Sequence, residues 1–168
     1  MKYYLTIIGM ALNILVALIP QYWWYYSAGG IIIIKDSLFF IGLELLGKEY
    51  LIVTLINYFL FAFRFYVVSV ALYYIYLAIK GIKRSYLLIA WVSYLYILDP
   101  LIFYIVFNYV INIFVPARYP LFIIGSENMS INYQGVKIMM LIESYPTLTY
   151  WIALATGTIN LIARYLKL

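Results

Sequence analysis

Polar residues in this chain mostly separate long apolar runs. The first run, "YYLTIIGMALNILVALIP", extends from Tyr3 to Ile19 and is stopped by Pro20. A second covers Leu51 to Ile79, a third Tyr86 to Val115, just before Pro116, and a fourth Leu148 to Leu166. Each has the roughly 17–25 residues a helix needs to cross ~30 Å of hydrocarbon. The middle two exceed that length and must tilt or project. The pattern predicts an all-α membrane protein, a bundle of four transmembrane helices in a single domain over residues 1–168. Outer segments are expected at 20–50 and 116–147. No internal repeat or linker interrupts this layout.

The outer segments carry a different pattern. In "WWYYSAGGIIIIKDS", Gly29 and Gly30 read as a turn and the isoleucines as a short β-branched strand. Asp36 or Ser37 then reads as the cap of a short helix, "LFFIGLELLG", ended by Gly47. In the second segment, apolar runs flank turn residues at Gly125-Ser126-Glu127-Asn128. The two segments are expected to share a small extracellular β-sheet over the bundle. Ser144 reads as a cap for the fourth helix, with Pro146 in its first turn. Trp23, Trp24, Tyr25 and Tyr26 read as an interfacial aromatic belt, because an apolar ring with a polar N–H or O–H suits the headgroup layer.

Composition agrees with the bilayer as solvent. Of 168 residues, 68% are hydrophobic and 10% charged, where a water-soluble domain carries about 25% charge. The 21 tyrosines and the many isoleucines point to an AT-rich coding genome, of the kind found in some archaeal thermophiles. With neither Cys nor His, the chain forms no disulfides, thiolate metal sites or His-based acid–base sites. No cofactor or metal is implied. No Gly-rich phosphate loop or nucleophile–base pair is visible, which argues against an enzyme.

Charge gives the expected orientation. Lys2, Lys80, Lys83, Arg84, Arg164 and Lys167 fall on one side without an acidic neighbour. Lys35, Lys48, Arg118 and Lys137 face Asp36, Glu44, Glu49, Glu127 and Glu143 on the other. The positive-inside rule then places both termini in the cytoplasm of a multi-pass cell-membrane protein. Anionic lipids are the natural partner of the basic side. Nucleic acid is not, since no soluble face carries a basic stripe. Asn128-Met129-Ser130 falls on the outer side and is a candidate glycosylation acceptor. The first run has a single lysine before it and a long apolar stretch, so it reads as a retained anchor, not a signal peptide.

Arg64 and Asp99 stand near the middle of predicted spans. Each lies roughly 22–24 Å from the turn between spans two and three, so the two are expected to meet as an intramembrane ion pair. Pro100 should kink the third span. The pair reads as a structural lock on helix register, or alternatively as part of a proton, ion or substrate path. Asn13, Asn57, Asn108, Asn112, Thr156, Thr158 and Asn160 read as polar helix-packing contacts. Asn13 and Asn160 are placed to bond across spans one and four, and Ala153 with Gly157 allows close helix approach.

The stretches "ALIPQYWWYYS" and "IIIIKDSLFFIGLELLGKEYLIVTLI", with this layout, resemble the claudin and peripheral-myelin-type four-helix membrane proteins. Trp23 or Trp24 and Asp36-Ser37-Leu38 are the matching positions. The family's paired loop cysteines and its Gly-Leu-Trp element are absent. The resemblance implies a non-enzymatic protein that associates with itself or with other membrane proteins. Sequence reading thus yields a structural, assembly or cell-surface interaction component in contact with membrane lipids. The alternative is a small membrane subunit of a transporter or a quinone- or proton-linked respiratory complex.

Overall fold

The computed structural model describes residues 3–113, 119–121, 124–133 and 135–166. Lys2, Arg118, Lys167 and the predicted end of the third span at 114–115 lie outside the described residues. Helix α1 (Tyr4–Leu18) ends where Pro20 forces Ile19 into an extended conformation. Helix α2 (Leu51–Ile79) ends in a Schellman motif. Gly81 takes φ +78°, Ile82 N–H donates to Leu77 C=O at 2.9 Å, and Gly81 N–H donates to Ala78 C=O at 3.1 Å.

Helix α3 (Leu88–Val110) is composite. It is α-helical over Leu88–Leu95, tightens to a 3-10 turn at Tyr96–Leu98, resumes as α-helix over Asp99–Ile105 and widens to a π turn at Val106–Val110. Pro100 lacks an N–H and crowds the preceding turn, which accounts for the break just before it. Helix α4 (Leu148–Tyr165) closes the chain.

Six strands form one antiparallel sheet: β1 (Trp24–Ala28), β2 (Ile32–Ser37), β3 (Phe40–Leu45), β4 (Lys48–Glu49), β5 (Gly125–Tyr133) and β6 (Val136–Pro146). Their order is β4-β3-β2-β1-β6-β5. Strands β1 to β4 come from the first outer segment, β5 and β6 from the second, and β1 pairs with β6 from Trp24↔Pro146 to Ala28↔Ile142. The β1–β2 turn uses Gly29 and Gly30 at φ +58° and +67°. Registers Tyr26↔Ile34 and Ile34↔Leu43 put Trp24, Tyr26, Ile32, Ile34, Asp36, Ile41 and Leu43 on one face. That face meets the helices. The opposite face carries Lys35 and Glu44, which form a 2.9 Å ion pair.

Helix α1 packs against α2 and α4, and α4 packs against α3, so the helices run in the order α2-α1-α4-α3. Gly157 makes the α4–α3 approach possible: a Cβ there would sit 2.8 Å from both Ala90 Cα and Ser93 Oγ. The main core joins Val16 and Ala17 of α1, Val67 of α2, Ile89 of α3 and Ala153 of α4 to Trp23, Trp24, Tyr26 and Phe39.

This architecture overturns the all-α expectation. The sheet is six-stranded, and two helices, α2 and α3, are long and apolar enough to cross a membrane, so the fold is not a four-transmembrane-helix bundle. Helix α1 has only 15 residues, and Thr, Gly, Asn and Arg make α4 too polar to qualify. The expected short helix over "LFFIGLELLG" is strand β3. Ser37 Oγ accepts from Phe39 N–H at 3.2 Å, turning the chain directly from β2 into β3. Ser144 is a strand residue, not a helix cap. Its Oγ accepts from Trp24 Nε1–H at 2.9 Å, and Thr147 holds the cap position. The aromatic belt is also corrected, because Trp23, Trp24 and Tyr26 are 2%, 1% and 3% exposed and form the core. Tyr25 alone of the four lies on the sheet's outer face, half-buried.

Candidate functional site

Strand β2 carries Ile32, Ile34 and Asp36 at two-residue spacing toward α3. Helix α3 presents Asp99, Phe103 and Phe107 at four-residue spacing toward the sheet. Tyr26, beside Ile34 on β1, bridges the two. Its ring stacks on Phe103 with centroids 3.9 Å apart, and its hydroxyl donates to Asp99 Oδ2 at 2.8 Å. The Asp36 carboxyl faces that of Asp99 and the Tyr96 phenol. Trp23 closes the group, edge-on to Tyr96 at 5.1 Å. Two carboxyls and two phenols thus meet in an aromatic enclosure between sheet and helix.

Burial dominates the electrostatics. Asp36 Oδ1 is fully enclosed with no hydrogen-bond partner. Desolvation, and then the neighbouring Asp99 carboxylate, push the Asp36 carboxyl up to about 8. Burial also raises the Tyr26 phenol, with Asp99 adding to the shift. Tyr119, stacked on Phe107 at 4.8 Å, is pushed up to about 12 by burial. Burial favours the protonated form of the Asp36 carboxyl near neutral pH, and the cluster's oxygens can accept hydrogen bonds.

Next to it lies an apolar cleft of about 260 Å³. Ile32, Ile34, Leu43 and Leu45 form its sheet wall. Ile102, Phe103, Val106 and Phe107 form its helix wall.

The sequence-predicted residues find other partners. Arg64 and Asp99 do not meet: Arg64 turns to the Phe39 carbonyl and Asp99 accepts from the Tyr26 hydroxyl. Arg64 Nη2 donates to Phe39 C=O at 3.5 Å, its guanidinium lies 5.8 Å from the Phe39 ring, and its Nε is buried without a partner. The one ion pair among the described residues is Lys35–Glu44. Asn57 bonds both backbone groups of Ile41, at 2.9 and 2.7 Å, tying α2 to β3. Asn160 Nδ2 donates to Asn13 Oδ1 at 2.7 Å, with both side chains fully buried between α1 and α4. Asn128 is exposed on β5. Among the described residues no group of three or more Asp, Glu, His or Cys could hold a metal.

Sequence reasoning missed Asp36, Tyr26 and Tyr96 as one cluster. The signal was available in part: the alternation Ile32-Ile34-Asp36 puts a carboxylate on the strand's apolar face. Comparison with known proteins finds no matching family model, no matching curated protein and no matching solved structure.

Proposed function

We propose that this chain is a non-enzymatic integral membrane protein, an assembly or interaction component anchored by α2 and α3. The observation that carries the reading is the exposure of α2. Only 11% of its most apolar stretch is buried, and 22% of that in α3. A core helix of a water-soluble protein would be mostly buried, and so much exposed Leu, Ile and Phe requires lipid or partner helices around it.

Lys80 ends α2, Lys83 and Arg84 follow, and Lys83 Nζ donates to Leu166 C=O at 2.8 Å, so Arg164 and the α2–α3 linker share one end of the molecule. By the positive-inside rule this end faces the cytoplasm, and the sheet faces out. The sheet's polar face, with Lys35, Glu44 and Glu143, then meets other proteins. Native mass spectrometry of the protein, gently extracted from its host membrane, tests the role. A monomer or homo-oligomer fits a self-contained interaction component. A fixed set of larger subunits would instead support an accessory subunit of a transporter or respiratory complex. The Asp36–Asp99 carboxyl pair is the observation that favours this second reading.

A further inference from the structure

We infer that the cleft between strands β2–β3 and the outer half of α3 is a binding site for one hydrocarbon chain of a membrane lipid. The inference rests on the membrane reading above.

The cleft's chemistry selects the occupant. All eight lining side chains are Ile, Leu, Val or Phe, and the exposed lining is entirely apolar. Its volume of about 260 Å³ holds roughly nine water-sized groups at ~30 Å³ each, the bulk of a medium-length run of methylenes. Water in a half-open cleft with wholly apolar walls is displaced favourably by an apolar occupant. Polar ligands find no hydrogen-bond partner along its walls.

Continuity with the surface of α3 identifies the source. Ile102 and Val106 line the cleft and are also 55% and 38% exposed on the helix exterior, beside Leu98, Leu101 and Ile105. That strip belongs to a helix long and apolar enough to cross a membrane. A lipid chain lying on it reaches the sheet wall at Leu43 and Leu45 without crossing polar surface. Phe103 and Phe107, stacked with ring centroids 6.2 Å apart, give the helix wall an aromatic surface. The Asp36–Asp99 group begins just beyond Ile34 and Phe103, so chain occupancy would also keep water from the carboxyls.

Reconstitution of the full chain into phosphatidylcholine vesicles containing a phospholipid with a diazirine midway along one acyl chain tests this. After irradiation, adducts are mapped by mass spectrometry. Adducts are expected on Leu43 or Leu45 of the sheet wall as well as on Phe59 and Phe65 of exposed α2. Leu43→Trp, which fills the cleft from the sheet side, should cut the sheet-wall adducts at least fivefold and leave those on α2 unchanged. Val106→Phe gives the same readout from the helix wall should Leu43→Trp fail to fold. Labelling of Phe59 and Phe65 with none on the sheet wall overturns the cleft site and leaves the membrane reading standing. A chain that neither floats with the vesicles nor labels anywhere overturns both.

Discussion

At the scale of single residues, Asp36 is the most consequential group. It sits on the apolar face of β2, enclosed by Trp23, Tyr26, Tyr96 and Asp99, and its carboxyl is pushed up to about 8 by burial and by Asp99. The folded protein therefore keeps a proton that the unfolded chain loses near pH 4. Unfolding releases that proton, so stability falls as pH rises from about 4 to about 8. Asp36→Asn removes the titration. Its melting temperature in detergent should fall less than that of the wild type between pH 5 and 9, and at pH 8–9 it should exceed the wild type's, because the amide carries no buried charge beside Asp99. A wild-type melting temperature that climbs across this window would contradict the assignment. Arg64 shows the opposite limit of sequence reasoning. Its charge and position are plain in the chain, yet its partner, the carbonyl and ring of Phe39, is set by where a hairpin turn lands.

At the scale of elements, the link between sheet and helices is polar and local. Asn57 on α2 accepts from the Ile41 amide and donates to its carbonyl. It thereby acts as one more strand residue beside β3. Asn57→Ala should remove both bonds, cost about 1–3 kcal/mol, and speed hydrogen exchange at the Ile41 amide by tenfold or more. Exchange at Ile34, deep in the β2 ladder, should change far less. Thr147 makes the matching link at the other side, donating to the Tyr22 carbonyl at 2.7 Å where α4 begins. The helical runs were legible as elements because their apolar stretches are long. Strand β3 was not, because Phe-Ile-Gly-Leu-Glu-Leu fits a helix equally well. The Ser37 turn and the waiting β2 edge decided for the strand.

At the scale of the whole molecule, charge and shape point the same way. The basic α2–α3 linker and the end of α4 share one end, and the sheet occupies the other. The chain contains no Cys, so single cysteines report topology without background. In intact cells, Lys137→Cys on β6 should react with a membrane-impermeant maleimide, and Lys83→Cys in the linker should react only after permeabilisation. Reversed labelling would invert the orientation. Equal labelling of both in intact cells would argue against a membrane crossing between them.

The sequence alone determined the four apolar runs, the glycine turn after Ala28 and the gathering of basic charge at one end. These follow from local composition and spacing, which act within a few residues. That two of the runs, and not four, are long and apolar enough as helices to cross a bilayer came from the structure. Tertiary structure decided the rest. It gave Arg64 the Phe39 carbonyl and Asp99 the Tyr26 hydroxyl as partners, and so kept the two charges apart. Strand pairing put Asp36 opposite Asp99, and buried Trp23 and Trp24 in the core instead of at an interface. Such outcomes depend on which distant surfaces pack, because a strand's register fixes which face each side chain takes. Nothing within one segment specifies the partner that covers it.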